Sequence, residues 1–188
     1  MNAAGKDPCE VAEIVYAKPL SGLFEEKLFG SDSGNTLWIK FSDKYGAVEW
    51  IGKFGTGESA STRVEKVCEP DKFLVSAGGF GYVVDSTSRQ ILDQCPRHIT
   101  DGSFVSDIVY DLQNRRFVVA SDTGLHFIEG GKIVWSSKRF AVDWIRDLKI
   151  NGRLITGLGI FDHEGPETKF TFDLDTRRAK HGLLWRQL

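Results

Sequence analysis

Apolar and polar positions along the chain alternate in short bursts, and each burst closes on a polar or glycine-bearing turn. That is the period of β-strands rather than helices. Four alternating segments, 37–41, 81–85, 124–128 and 168–172, begin 44, 43 and 44 residues apart. Each runs into a polar turn, and three of the turns lead to an outer strand with an apolar start, at 47–51, 90–93 and 132–135. Ahead of the last three segments lie nearly continuous apolar runs, 73–77, 117–121 and 154–158, the mark of strands covered on both faces. Ahead of those again come first strands at 64–69, 107–111 and 143–147, joined to the apolar runs by tight turns such as Asn151-Gly152.

Four antiparallel strands in about 44 residues is the period and content of a propeller blade. The pattern resembles the β-propeller superfamily in architecture, over about residues 37 to 180, without the Gly-His and Trp-Asp signature of WD40 repeats or the kelch double glycine. The resemblance implies an all-β fold of four units, at 10–52, 64–95, 105–137 and 143–180, within one domain spanning 1–188. Residues 1–36 supply only a degenerate start, with strands at 14–16 and 23–29. A small closed propeller, an open half-propeller and a ring completed by a second copy all fit, as does a β-sandwich with evenly spaced strands. An open arc would expose sheet edges ready to pair with a partner strand.

Composition narrows the classes. A 188-residue chain with 41% hydrophobic and 27% charged residues is long enough and apolar enough to bury a core. The net charge of −2 argues against non-specific attraction to nucleic acid. The basic pairs Arg115-Arg116, Lys138-Arg139 and Arg177-Arg178 read as solvated turns. No apolar stretch reaches the ~18 residues of a membrane span, and the first 18 residues lack the apolar core of a signal peptide. Cys9, Cys68 and Cys95 are odd in number and widely spaced, which predicts reduced, buried thiols and a cytoplasmic protein.

Candidate chemistry is sparse. The glycine-rich stretches at 52–57 and 78–81 precede no helix and end in no Gly-Lys-Ser/Thr, so they read as turns rather than phosphate loops. His98, His126, His163 and His181 lack metal-ligand spacing, and a Cys95–His98 pair has no evident orienting acid. No cofactor, no metal and no catalytic residue is expected. Trp50, Trp135, Trp144 and Trp185 are expected to fill the spaces between units, whereas Phe54 and Phe80, beside glycines, are candidates for solvent-facing contacts.

The most informative pattern lies on the first strands. Glu65 and Glu69, Asp107 and Asp111, and Asp143 and Asp147 each stand at i and i+4, a spacing that puts both carboxylates on one face of a regular strand. Three readings follow: acids that cap turns, an acidic surface for a basic partner, or a hard-cation site of carboxylate oxygens. The expected function is a non-catalytic cytoplasmic protein-binding module with a basic protein partner, in its concrete form an immunity protein that neutralises a toxin such as a basic nuclease. A metal-dependent propeller hydrolase using those carboxylates and an oligomeric scaffold, for instance a homodimer, are the alternatives.

Overall fold

The computed structural model describes residues 11–20, 22–30, 35–59, 61–67, 71–96, 105–181 and 184–187; for 184–187 it describes the backbone alone. Among these residues every regular element is a strand, and no helix is long and apolar enough to cross a membrane. The chain forms two compact units, 1–58 with 62–94, and 59–61 with 95–188.

The first unit holds two sheets. In the first, β1 (Val11–Val15), β2 (Glu25–Phe29), β3 (Thr36–Ser42) and β4 (Val48–Gly55) take the order β1-β3-β4-β2. This differs from a simple meander, because β2 lies outside β4 and runs parallel to it. The physical reason is Phe29, which is buried and stacks on Phe54 of β4 at 4.9 Å between ring centroids. That contact draws β2 to the outer strand and leaves β1 to pair directly with β3. The second sheet is a plain meander of β5 (Thr62–Lys66), β6 (Lys72–Ala77), β7 (Phe80–Asp85) and β8 (Gln90–Cys95).

The second unit repeats the scheme. Its sheets are β9 (Val105–Asp111), β10 (Arg116–Ser121), β11 (Leu125–Glu129) and β12 (Lys132–Ser136), then β13 (Asp143–Asn151), β14 (Leu154–Ile160), β15 (Thr168–Asp173), β16 (Arg178–His181) and β17 (Leu184–Gln187). Both are antiparallel, in chain order, and β17 adds a fifth strand to the last sheet. The four sheets are blade-like repeats, and the all-β, repeat-built class expected from the pattern holds.

Each unit has its own core, and the two cores share a device. In the first, Phe41 and Trp50 are cross-strand partners on β3 and β4, stacked 4.0 Å apart, and the register slips just after Phe41. In the second, Phe127 and Trp135 are partners on β11 and β12, 4.5 Å apart, and the register slips just after Phe127. An arginine from the following sheet caps each tryptophan: Arg89 lies 6.0 Å from Trp50 and Arg177 5.4 Å from Trp135. Of the tryptophans expected between sheets, Trp50 is fully buried and Trp135 is half-buried.

The capping arginines sit in a recurring turn that begins with Asp and ends four residues later with Arg. Asp85 Oδ1 accepts the backbone N–H groups of Thr87 (3.1 Å) and Ser88 (2.8 Å), and Asp173 Oδ1 those of Asp175 (3.0 Å) and Thr176 (2.9 Å). Asp111 Oδ1 accepts that of Asn114 (3.2 Å). Short polar side chains that bond their own turn in this way fix the reversal. The turn then forces Arg89, Arg115 and Arg177 to φ of 56°, 52° and 54°, where a Cβ is crowded. The Thr176 N–H, more than any other group, holds the Asp173 carboxyl below the usual carboxylate range.

Candidate functional site: the bulged edge of the last sheet

Strand β13 is the edge of its sheet, and it carries more residues than its partner can match. The register skips Trp144 between the pairs Asp143–Ile160 and Ile145–Gly159. It shifts again between Arg146–Leu158 and Lys149–Thr156, so that Asp147 and Leu148 together oppose Gly157. These are β-bulges, and each places a non-glycine residue in the left-handed region, Trp144 at φ 55° and Asp147 at φ 56°. For a residue as bulky as Trp this conformation costs about 1–2 kcal/mol, so the surroundings must impose it.

Two sets of neighbours do so. The glycines of β14 make room: a Cβ on Gly159 would stand 3.2 Å from the Trp144 carbonyl oxygen, and one on Gly157 2.9 Å from that of Arg146 and 2.7 Å from the Phe170 ring. On the other side β9 ties the bulges down. The Ser106 hydroxyl lies 2.7 Å from the Ile145 carbonyl oxygen, and the Leu148 N–H donates to Asp107 Oδ2 at 2.6 Å. Asp107 is buried, and its other oxygen accepts the N–H of Ile108 at 2.8 Å. A bulge leaves ladder N–H groups without a strand partner, and a buried carboxylate is a strong acceptor for one of them.

The outcome is a displayed aromatic. Trp144 is 58% exposed, which corrects the expectation that it packs between units; the bulge turns it outward. Asp143 and Asp147, both exposed, flank it. The nearest cation on the strand, Arg146, is neutralised by Glu167 through two hydrogen bonds, Nε to Oε1 at 2.6 Å and Nη2 to Oε2 at 2.8 Å. That pairing holds Glu167 below the usual carboxylate range and Arg146 above its own.

The other residues singled out from the sequence are dispersed. Asp111 is buried at the end of β9, where Oδ2 accepts from the Asn114 side chain (2.7 Å) and from Arg116 Nε (3.1 Å). Asp107 and Asp111 are therefore not surface acids. Glu65 is exposed on β5 in the first unit, 3.5 Å from Arg63, and Glu69 lies outside the described residues. Phe54 is fully buried rather than solvent-facing, because Gly52 two residues earlier leaves the space its ring occupies: a Cβ there would be 2.6 Å from it. Phe80 is half-buried against the first core. Cys95 is buried; Cys9, Cys68 and His98 lie outside the described residues. Among the described residues no group of three or more His, Cys, Asp or Glu is placed to hold a metal ion.

No protein-family model matches the chain, and no curated protein does. Among solved structures, one described as dihydro-heme d1 dehydrogenase NirN in complex with DHE matches with a TM-score of 0.46 and 19% identity. The match covers 81% of this chain, which spans about a third (34%) of that one.

Sequence reasoning passed over the β13 bulges, yet the signal was present: Gly157-Leu-Gly159 in an otherwise apolar strand marks close approach of a neighbouring backbone. The Asp…Arg turns were equally visible as Asp85-Ser-Thr-Ser-Arg89, Asp111-Leu-Gln-Asn-Arg115 and Asp173-Leu-Asp-Thr-Arg177.

Proposed function

We propose that the chain is a non-catalytic protein-binding module whose contact is the bulged edge of the last sheet, with Trp144 as anchor and Asp143 and Asp147 as its charged flanks. The observation that carries this reading is the exposure of Trp144 on a strained, tied-down backbone. A flexible exposed tryptophan would be an accident of surface; one fixed at an energetic cost by Gly157, Gly159, Ser106 and Asp107 is a pre-positioned contact. Tryptophan dominates protein-interface energetics, its ring face attracts Lys and Arg, and flanking carboxylates add to that attraction. The partner is thus a basic protein offering a cationic side chain to the Trp144 ring.

A finer form of the reading is an immunity protein, working in the cytoplasm, that masks a basic toxin such as a nuclease. An inhibitor carrying exposed acids imitates the charge of a nucleic-acid substrate and gains association rate from it. What supports it is the pair of exposed carboxylates, Asp143 and Asp147.

The test is affinity capture from native extract with the wild-type chain, W144A and the double variant D143N/D147N as baits. A partner with basic isoelectric point, retained at least about tenfold less by either variant and with an association rate that falls as salt rises, is the expected result. Capture of an acidic partner, or equal retention by all three baits, overturns the reading. Inhibition of a captured nuclease by the wild-type chain, lost in W144A, tests the finer form.

A further inference from the structure

The solvent face of the same sheet carries chemistry of the opposite sign. Register pairs Lys149 with Thr156, Thr156 with Thr171, and Thr171 with Lys180, so these four residues form one row across β13, β14, β15 and β16. The neighbouring row holds Arg146, Leu158 and Lys169. Directly paired residues share a face, and the alternate residues Ile155, Phe170, Phe172 and Ala179 are buried in the core beneath. Between the rows lies an open groove of about 360 Å³, lined by Lys149, Lys169, Thr156, Thr171, Leu158 and Asp147 among others.

The charges in this groove are not balanced locally. Arg146 has Glu167, but among the described residues Lys149, Lys169 and Lys180 form no ion pair. Asp147 is the single carboxylate lining the groove, against two lysines. Lys149 and Lys169 stand on strands two apart and one row displaced, roughly 12 Å between Cα atoms from ordinary sheet spacings. Their ammonium groups, on flexible stems, can converge over the two threonine hydroxyls that lie between them. Like charges so near one another raise the local potential, which an anion relieves. Two ammonium donors and two hydroxyl donors over a flat threonine floor match a ligand with two adjacent tetrahedral oxyanions better than one with a single carboxylate. The groove volume falls within the range of small-molecule sites.

We infer that this groove binds a small molecule carrying two adjacent phosphate groups, held by Lys149 and Lys169 with Thr156 and Thr171. Inorganic pyrophosphate is the probe, titrated calorimetrically into the full chain at fixed ionic strength. The expected result is saturable binding with a Kd below about 1 mM, tighter than for orthophosphate. The double variant K149Q/K169Q weakens it at least tenfold, whereas K138Q, another exposed lysine outside the groove, leaves it unchanged. Asp147→Asn strengthens pyrophosphate binding by removing a like charge while it weakens capture at the Trp144 edge, so the two sites are told apart by opposite signs. Trp144→Ala leaves pyrophosphate binding intact. Absence of saturation up to about 10 mM, or unchanged affinity in K149Q/K169Q, overturns the site. Equal affinity for orthophosphate overturns the assignment of two phosphates.

Discussion

His126 is held at the interior of the third sheet between two hydroxyls, with Nδ1 2.9 Å from Ser136 Oγ and Nε2 3.1 Å from Ser121 Oγ. It is buried, and burial pushes its pKa down from 6.5 to about 4. The folded chain therefore keeps the imidazole neutral where the unfolded chain protonates it. The stabilisation is fully present above the unfolded value of 6.5 and is lost as pH falls towards 4, by on the order of 3 kcal/mol at most. Urea denaturation at pH 7.5 and pH 5 measures it: the wild-type loses stability between the two, and His126→Asn flattens the difference. An unflattened slope in the variant would place the pH dependence elsewhere. Asp107 and Asp111 teach a related lesson. Their carboxylates looked like ligands in the sequence because acids rarely enter a core unpaired. What decided their burial was the set of donors that the fold delivers to them, the N–H of Leu148 to Asp107 and Arg116 with Asn114 to Asp111. The donor to Asp107 lies 41 residues away and exists only because β13 bulges there, so no local pattern announces it.

At the scale of the element, strand periodicity succeeded wherever the ladder is regular and failed where it is bulged. The bursts at 81–85 and 168–172 correspond to β7 and β15, and the Asn151-Gly152 turn is real, with Gly152 at φ 59°. The rule that i and i+4 share a face broke on β13, because the extra residues reset the alternation between Asp143 and Asp147. The placement of β2 was not legible either: a parallel neighbour requires a crossing that goes with the aromatic contacts of Phe29 on Phe54 and Trp50 rather than with any turn signal. The Asp…Arg turns allow a sharper test. Arg115 is exposed and, among the described residues, its φ of 52° is uncompensated by any ring, so Arg115→Gly relieves crowding and raises stability by about 0.5–1 kcal/mol. Arg177 is under the same backbone strain but covers Trp135, so Arg177→Gly loses the cation–π contact and gains little or nothing. Chemical denaturation of the two variants should separate them; equal stabilisation by both would show that the Trp135 contact contributes nothing.

For the whole molecule, a net charge of −2 conceals a local separation of charge that the composition could not reveal. Within the last sheet the exposed acids Asp143 and Asp147 flank Trp144 on β13, with Asp147 also bordering the groove, while Lys149, Lys169 and Lys180 stand on the face. Collisional quenching of tryptophan fluorescence reads this directly. Caesium, a cation, should quench the emission that W144F removes more effectively than iodide does, and the preference should shrink with added salt. Trp50, fully buried, contributes nothing to that difference, so W50F leaves the caesium-to-iodide ratio unchanged. An iodide preference at Trp144 would mean that the lysines, rather than the acids, set the field at the edge.

The cross-strand Phe–Trp pair capped by an arginine occurs once per unit, and its Phe, Trp and Arg recur after 86, 85 and 88 residues. This device therefore recurs with each pair of sheets, twice the interval of the one-sheet repeat that the strand pattern displays. A single sheet of 44 residues is an incomplete heritable module, since it would carry a tryptophan without its arginine or an arginine without its ring. Duplication or loss in steps of about 86 residues keeps each cap with its ring, whereas a step of one sheet orphans one of them. Lineages descended from a common two-sheet ancestor would thus be expected to differ by even numbers of sheets.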